Sequence, residues 1–328
     1  MRTVTVGAND AGQRLDKFLT KFLKACPQSM IYKCLRKKRI KLNGKKAEGA
    51  VKLNEGDVLQ MYINEEFFSG EVANTSFMKV KPDIEIVYED ENIMLIDKKP
   101  GMIVHEDEGE KFNTLISHIK AYLFEKGEYD PANEQSFAPA LCNRIDRNTG
   151  GIVIAAKNAA ALRVINEKIK SREIRKFYLC MVQGHVKPQS GTLTAYLQKN
   201  ENQNRVYISD TPKEGYKKCI TKYRTIGATD IASYLEIDLI TGRTHQIRAQ
   251  MAHIGHPLAG DGKYGTNEFN KKIGLKYQAL YSYRTEFAFT DENILSYLNG
   301  KSFEVNKENI KWYKKVSSHR KESVLKGN

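Results

Sequence analysis

The stretch NRIDRNTGGIVIAA, residues 143–156, joins a charged segment to an apolar one. Asp146 stands between two arginines, and a pair of glycines leads directly into the apolar run GIVIAA. The run predicts a buried strand, and the glycines predict a turn or a close approach of backbone. A carboxylate between cations is either a surface salt bridge or a reactive group, since nearby cations favour the ionised form that a nucleophile needs. These residues alone leave both interpretations open.

The composition predicts a folded globular protein with a polyanionic partner. The 328 residues are 41% hydrophobic and 28% charged, and the net charge is +14. Residues 1–63 hold 14 Lys and Arg against 5 Asp and Glu, so much of the positive excess lies there. The sequence has no apolar run of about 18 residues, no signal-peptide pattern at its start and no lipidation motif. These features favour nucleic acid over a membrane.

Cysteine and histidine spacing argues against metal sites and disulfides. The five cysteines are odd in number and never spaced as C-x-x-C, which predicts a reducing cytoplasm: Cys26, Cys34, Cys142, Cys180 and Cys219. His245, His253 and His256 lack a nearby pair of acidic or thiolate partners. Neither a phosphate-binding P-loop nor a strand–GxGxxG–helix pattern is present. We therefore expect no metal and no cofactor.

The N-terminal region reads as two helices followed by short strands. Residues 13–24 place five apolar side chains on one face of a helix. A second helix is predicted from Met30 with Ser29 as its N-cap, followed by a turn at Asn43-Gly44 and a strand ending near Ile63. A basic run on the second helix and the next strand is either a solvated face or an RNA contact: Lys33, Arg36, Lys37, Lys38 and Arg39.

The pattern RLDKFL…S..I.K.LR…I.LNG…..L..GD.L, over residues 13–63, resembles the S4-type RNA-binding domain. The resemblance implies that the helix pair and the following loop contact structured RNA. Together with the local charge, it favours RNA binding for the basic run.

In residues 84–290, many strand patterns alternate with few helical ones, which predicts an α+β fold with a mostly antiparallel or mixed sheet.

Four ordered segments of residues 84–290 resemble motifs of the RluA-type pseudouridine synthases. LIDKKPGMIVH resembles K-P-x-G-x-x-V-H, and NRIDRNTGGIVIAAKN resembles H-R-L-D-x-x-T-S-G-L. RKFYLCMVQG resembles K-x-Y-x-x-x-V-x-G, and TGRTHQIRAQMAHIGHPLAGDGKYG resembles T-G-R-x-H-Q-I-R…G-H-P-x-x-G-D…Y-G. An S4-type domain in front is common in this family. The resemblance implies the pseudouridine synthase fold and isomerisation of uridine in RNA without a cofactor.

The resemblance also implies roles for four residues. Asp146 matches the aspartate that acts as nucleophile or base, and Arg248 matches the arginine that pairs with it. Tyr178 matches the tyrosine that stacks near the base and is a candidate for proton transfer. Arg144 matches the residue that fills the gap left by the flipped uridine, where a guanidinium plane can stack.

Three positions depart from the aspartate motif. Asn143 stands where the family has histidine, Ile145 replaces leucine, and Gly150 replaces serine. The change from leucine to isoleucine conserves packing volume. None of the three removes the aspartate.

The sequence thus predicts four parts: an S4-type RNA-binding domain at 1–63, a linker at 64–82, a catalytic domain at 83–290 and a basic C-terminal extension at 291–328. The last dozen residues read as a mobile tail. Large-subunit rRNA, alone or in ribosomal precursor particles, is the favoured substrate. A transfer RNA uridine and a non-catalytic role in RNA binding or ribosome assembly remain alternatives.

Overall fold

The computed structural model describes residues 1–68, 75–106, 109–110 and 112–313. The chain divides into two compact units. The first comprises residues 1–83, 116–140 and 156–163, and the second comprises the remaining segments, 84–115, 141–155 and the chain from 164 onward. The four-part division of the sequence stays a prediction, and the expected mobile tail lies outside the described residues.

Helices and strands are numbered here in chain order. The helices are α1 (Leu15–Phe22), α2 (Gln28–Arg36), α3 (Leu115–Glu125), α4 (Ala159–Ser171), α5 (Gln246–His253) and α6 (Asn267–Ile273). The strands are β1 (Arg2–Thr5), β2 (Ile40–Leu42), β3 (Lys45–Lys46), β4 (Val58–Met61), β5 (Ile86–Glu89), β6 (Ile93–Lys98), β7 (Ala140–Leu141), β8 (Gly150–Ala156), β9 (Ile174–Gln183), β10 (Ser190–Asn200), β11 (Arg205–Ser209), β12 (Lys217–Thr229), β13 (Ala232–Leu239), β14 (Leu280–Phe287) and β15 (Ser302–Glu304). Short 3-10 turns occur at Glu65–Phe67, Ser76–Lys79, Ser296–Leu298 and Lys307–Asn309.

The first unit contains a four-stranded antiparallel sheet in the order β1-β4-β2-β3, together with α1 and α2. The predicted helix within residues 13–24 is confirmed, and its apolar face is buried through Leu15, Phe18 and Leu19. Asn43 and Gly44 both have positive φ in the turn between β2 and β3, as a tight hairpin requires. Local sequence patterns therefore predict this helix and this turn.

Helix α2 begins earlier than predicted. Pro27 precedes its first residue, Gln28, and its φ of −57° suits the start of a helix. The prediction of Ser29 as N-cap is therefore wrong, because Ser29 lies inside the first turn. Of the basic run, Lys33 and Arg36 lie on α2, whereas the rest lies in the turn that leads to β2. All five basic side chains are exposed: Lys33, Arg36, Lys37, Lys38 and Arg39.

The second unit is built on a mixed eleven-stranded sheet. Its main order is β11-β10-β12-β13-β9-β14-β8-β6-β5, with β15 paired to β14 and β7 to β8. The pairs from β11 to β14 are antiparallel, and β14 pairs with β8 in parallel. Strands β6 and β8 are buried along their whole length. The predicted α+β fold class with a mixed sheet is confirmed.

Strand β14 was not predicted, and its position explains the glycine pair. A Cβ on Gly150 would lie 2.3 Å from Cε2 of Tyr281, and a Cβ on Gly151 would lie 2.1 Å from the Ser282 carbonyl oxygen. Gly151 also has a φ of +110°. The glycines thus allow β14 to approach β8 closely, and Tyr281 fills the space that a serine at position 150 would need.

Candidate active site in the second unit

The loop 142–149, between β7 and β8, carries Asp146 and is fixed to the neighbouring strand. The side-chain oxygen of Asn143 accepts a hydrogen bond from the Ile154 backbone N–H at 2.8 Å, and the Cys142 N–H donates to the Ile154 carbonyl at 2.8 Å. The Thr149 N–H donates to the Asp146 carbonyl at 3.0 Å. Asn143 therefore anchors the loop to β8 through its amide.

A buried lysine, which sequence reasoning did not single out, supports the same loop from β6. The Lys98 ammonium donates to three carbonyls, those of Lys99 at 3.1 Å, Met102 at 2.9 Å and Arg147 at 2.9 Å. Burial lowers the pKa of Lys98 to about 7, against the opposing effect of the Asp146 charge. In the sequence, the signal that could have pointed to Lys98 was its position in LIDKKPGMIVH, a segment that resembles a family motif. Lys98 fixes the backbone beside Asp146.

Arg248, on α5, connects two carboxylates. Its Nη1 donates to Oδ2 of Asp146 at 2.7 Å, while Nε and Nη2 donate to the two oxygens of Asp261 at 2.7 and 2.9 Å. Burial alone would lower the pKa of Arg248, but the two carboxylates raise it above its ordinary value. Asp261 is fully buried, whereas the Asp146 side chain is 25% exposed. The arrangement presents a paired carboxylate to solvent with its orientation fixed.

The start of α5 is held against β12 by buried amide and hydroxyl groups. The Gln246 side chain donates to the Ile220 carbonyl at 3.0 Å and to the Thr221 hydroxyl at 2.8 Å. Thr221 in turn donates to the Gln250 side chain at 2.6 Å. These bonds satisfy the buried polar groups of the helix and fix the position from which Arg248 reaches Asp146.

Asp146 and Tyr178 line one cleft of about 590 Å³, within the range of about 300–1,000 Å³ typical of ligand sites. Tyr178 lies on β9 and is 5% exposed. Burial raises the pKa of Tyr178 to about 12, with a smaller contribution from the Asp146 charge. Its hydroxyl is therefore protonated near neutral pH. Arg144 and Arg248 also line the cleft, so the structure brings together the four residues predicted for the second unit.

Comparisons with known proteins identify the family. A family profile described as RNA pseudouridylate synthase matches residues 92–253, and a profile of the S4 domain matches residues 13–59. Ribosomal large subunit pseudouridine synthase C of Salmonella typhi is 31% identical over 88% of both chains. The protein of that name from Vibrio parahaemolyticus is 32% identical over 87% of both. The chain belongs to the RNA pseudouridylate synthase family.

A solved structure supports the same fold for this synthase. Human RNA pseudouridylate synthase domain containing 1 is 20% identical and gives a TM-score of 0.52. The match covers 70% of this chain and 93% of that one. An RNA substrate follows from the family and from the S4 domain.

Cations surround the cleft of this pseudouridylate synthase. Five basic side chains contribute to its lining beside Arg248: Arg144, Arg147, Lys176, Lys199 and Arg243. Burial lowers the pKa of Lys176. A basic lining suits the phosphates that accompany a nucleotide into the cleft. The basic residues predicted on α2 and the turn after it belong to the first unit and do not line the cleft.

The part of the chain that the structure describes holds neither a metal-binding cluster nor a membrane-spanning helix. No three His, Cys, Asp or Glu side chains there are grouped in a way that would hold a metal ion. No helix there is both long and apolar enough to cross a bilayer. The expectation that the synthase needs no cofactor stays a prediction.

Proposed function

We propose that this chain isomerises uridine to pseudouridine in large-subunit ribosomal RNA, with Asp146 as the residue that starts the reaction. The observation that carries the proposal is the partly exposed Asp146 carboxylate, held by Arg248 at 2.7 Å in a cleft of nucleotide size. The names of the curated relatives and the S4 match at residues 13–59 favour the ribosomal substrate. That substrate also suggests a cytoplasmic location.

The proposed reaction conserves the atoms of the nucleotide. The bond between N1 of uracil and C1′ of ribose breaks, the uracil rotates, and C5 bonds to C1′. The proton on C5 leaves and N1 gains a proton, so no oxidant, reductant or other co-reactant is consumed. Asp146 acts as nucleophile or base at the ribose or the ring. Arg248 holds the carboxylate in one orientation and balances its charge in a partly dry site.

Tyr178 and Arg144 have supporting roles in this proposal. The protonated hydroxyl of Tyr178 contacts the uracil and can pass a proton, because it lines the same cleft as Asp146. Arg144 is exposed at the cleft and stacks in the gap that the flipped uridine leaves. Large-subunit RNA within precursor particles is the proposed partner, and the five basic side chains of α2 and the turn after it bind its phosphates.

A modification assay tests the proposal. Full-length protein is incubated with unmodified large-subunit rRNA and with unmodified tRNA transcripts, and pseudouridines are mapped by chemical probing and sequencing. Wild type is expected to modify defined uridines in the rRNA. Asp146→Asn, which keeps the shape but removes the charge, is expected to slow the reaction by at least about 10³-fold. Asp210→Asn, at a 77% exposed side chain, is the matched control and keeps the wild-type rate.

Each other outcome contradicts a specific part of the proposal. Modification confined to tRNA contradicts the ribosomal substrate and leaves the chemistry standing. Full activity of Asp146→Asn contradicts the role of the carboxylate. No pseudouridine in either RNA favours a non-catalytic RNA-binding protein.

A further inference from the structure

A second polar group faces Asp146 and has no part in the reaction described above. The Nε2 atom of His245 lies 3.9 Å from Oδ2 of Asp146, too far for a direct hydrogen bond. The His245 side chain is 10% exposed and lines the same cleft. The residue immediately precedes α5 with a φ of +50°, a left-handed conformation that is uncommon outside glycine. Its orientation toward Asp146 is thus held by the surrounding structure.

Hydrogen bonding around Tyr264 favours one of the two neutral tautomers of His245. The Val206 backbone N–H donates to the Tyr264 hydroxyl oxygen at 2.8 Å, and that oxygen lies 2.9 Å from Nδ1 of His245. Because the oxygen already accepts one bond, its own proton is available for Nδ1. Nδ1 then accepts, and a neutral ring must carry its proton on Nε2, the nitrogen that faces Asp146. In the opposite tautomer Nδ1 would donate, so the Tyr264 oxygen would accept two hydrogen bonds and its own proton could not bond to His245.

The imidazole of His245 is also neutral near pH 7. Burial lowers the pKa of His245 to about 4, and the positive charge of Arg248 contributes in the same direction, against the Asp146 charge. A neutral ring with Nε2 protonated is a hydrogen-bond donor toward the cleft. Beside it, the Asp146 carboxylate is an acceptor.

One buried carboxylate positions both sides of this pair. Asp261 binds Arg248 through two hydrogen bonds, and Arg248 fixes Asp146. Oδ1 of Asp261 also accepts from the Tyr264 backbone N–H at 3.1 Å, which fixes the turn that carries the Tyr264 hydroxyl. Asp261 therefore helps to fix the distance between the N–H donor of His245 and the carboxylate acceptor of Asp146.

We propose that His245 and Asp146 together bind the 2′-hydroxyl of the reacting ribose, with Tyr264 as the positioning residue that sets the histidine tautomer. A hydroxyl oxygen about 2.8 Å from both atoms fits a gap of 3.9 Å. It accepts from Nε2–H and donates to Oδ2. A uracil carbonyl or a phosphate oxygen only accepts, and the uracil N3–H only donates, so no single atom of these groups bonds to both side chains. Binding through the uracil edge would use two atoms and would give no preference for ribose over deoxyribose. Within an RNA chain the 2′-hydroxyl is the free group that both accepts and donates, and DNA lacks it.

This inference rests on the proposed function, because it requires the uridine to enter this cleft. The test is a double-mutant cycle, in which each protein variant is combined with each of two RNA probes and the affinities are compared. The probes are an oligoribonucleotide containing a uridine that the wild type modifies, and the same oligonucleotide with one 2′-deoxyuridine at that position. Affinity for both is measured with wild type, His245→Ala, His245→Gln and Tyr264→Phe. His253→Ala, at the other end of α5 and away from the cleft lining, is the matched control.

Wild type and His253→Ala are expected to prefer the ribose probe by more than about tenfold, because the 2′-hydroxyl makes one neutral hydrogen bond and one to a charged carboxylate. In His245→Ala the preference should fall by about five- to tenfold, the usual value of one neutral hydrogen bond, and the remainder reflects the bond to Asp146. His245→Gln keeps an N–H donor and should recover part of the preference, and Tyr264→Phe should lose part of it. A loss of affinity in His245→Ala that is equal for both probes would overturn the proposal, because it would indicate a purely structural role.

A spectroscopic measurement on the free protein checks the tautomer separately. Nitrogen-15 spectra of the full-length protein, with the His245 signals assigned by comparison with His245→Gln, should show a protonated Nε2 and an unprotonated Nδ1 at neutral pH. Tyr264→Phe should give a mixture of tautomers. A protonated Nδ1 in the wild type refutes the inference. If wild type forms no pseudouridine in any RNA, the proposed function fails and the inference falls with it; if wild type is active and His245→Ala keeps the full ribose preference, only the inference fails.

Discussion

The basic residues between Lys33 and Arg39 and the charged residues around Asp146 use charge in opposite ways. The five cations of α2 and its following turn are exposed, and among the described residues none of them forms an ion pair with a carboxylate. Around Asp146, by contrast, Arg248 is 9% exposed at its side chain and makes three hydrogen bonds to two carboxylates. Exposed charges act through long-range attraction that salt screens, whereas buried charges act through fixed geometry in a low dielectric. Single substitutions should therefore be severe in the cleft and mild on the basic surface.

After Asp146→Asn, the largest effect is expected from Arg248→Lys. Lysine keeps the positive charge but cannot reproduce the two-pronged bond to Asp261 together with the bond to Asp146. The single-turnover rate at saturating RNA should fall by at least about 100-fold, with RNA affinity changed by less than about threefold. Rapid-quench assays and filter binding measure the two quantities. Arg224→Lys, at a 65% exposed side chain paired with Glu236, is the control.

If the affinity of Arg248→Lys collapses while the rate at saturation holds, Arg248 binds RNA phosphate instead of orienting Asp146. The contrast between the cleft and the basic surface would then disappear.

An intermediate effect, on stability, is expected from His245→Gln. The unfolded chain binds a proton at His245 below pH about 6.5, whereas the folded chain does so only below about 4. Acidification through this window favours the unfolded state, by up to about 3 kcal/mol for this residue. His245→Gln should lose less stability than wild type between pH 6.5 and 4.5. Thermal unfolding midpoints at several pH values measure the difference.

His253→Gln provides the comparison at a 34% exposed histidine. Parallel curves for wild type and His245→Gln would show that the imidazole at position 245 is not held neutral by burial.

The smallest effects per residue are expected on the basic surface. Replacing Lys37, Lys38 and Arg39 together by glutamine should lower the slope of log affinity against log salt by up to roughly 2, about 0.7 for each phosphate that the variant no longer neutralises. The single-turnover rate at saturation should stay within about twofold of wild type. A triple replacement of exposed lysines elsewhere, Lys271, Lys272 and Lys276, is the charge-matched control.

An unchanged salt slope in the first triple variant, or an equal change in the control, would remove the special role of the basic run. Substitution is a better test than deletion of residues 1–63. Asn9 donates to Glu134 at 2.8 Å and Gln13 donates to Ser136 at 3.0 Å within the same compact unit, so deletion would also remove hydrogen bonds that residues 134–136 accept.

Sequence patterns predicted the elements whose signals are local. Helix α1 follows from apolar residues on one face, and the β2–β3 turn follows from Asn43-Gly44 because both positions need positive φ. Helix α5 was missed for a physical reason. Its buried side includes Gln246, Arg248 and Gln250, which hydrogen-bond inside the protein and so remove the apolar periodicity that marks a helix.

By itself, the sequence determined the fold class, the family resemblance and the identity of Asp146 as the residue to test. These depend on short segments whose residue types and order are visible in the chain. The tertiary structure decided which groups surround that carboxylate. Lys98, Tyr264 and Asp261 come from distant segments, and their partners are set by strand pairing and helix docking. Because a hydrogen bond depends on separations of a few tenths of an ångström, no spacing along the chain could have shown that His245 and Asp146 stand 3.9 Å apart.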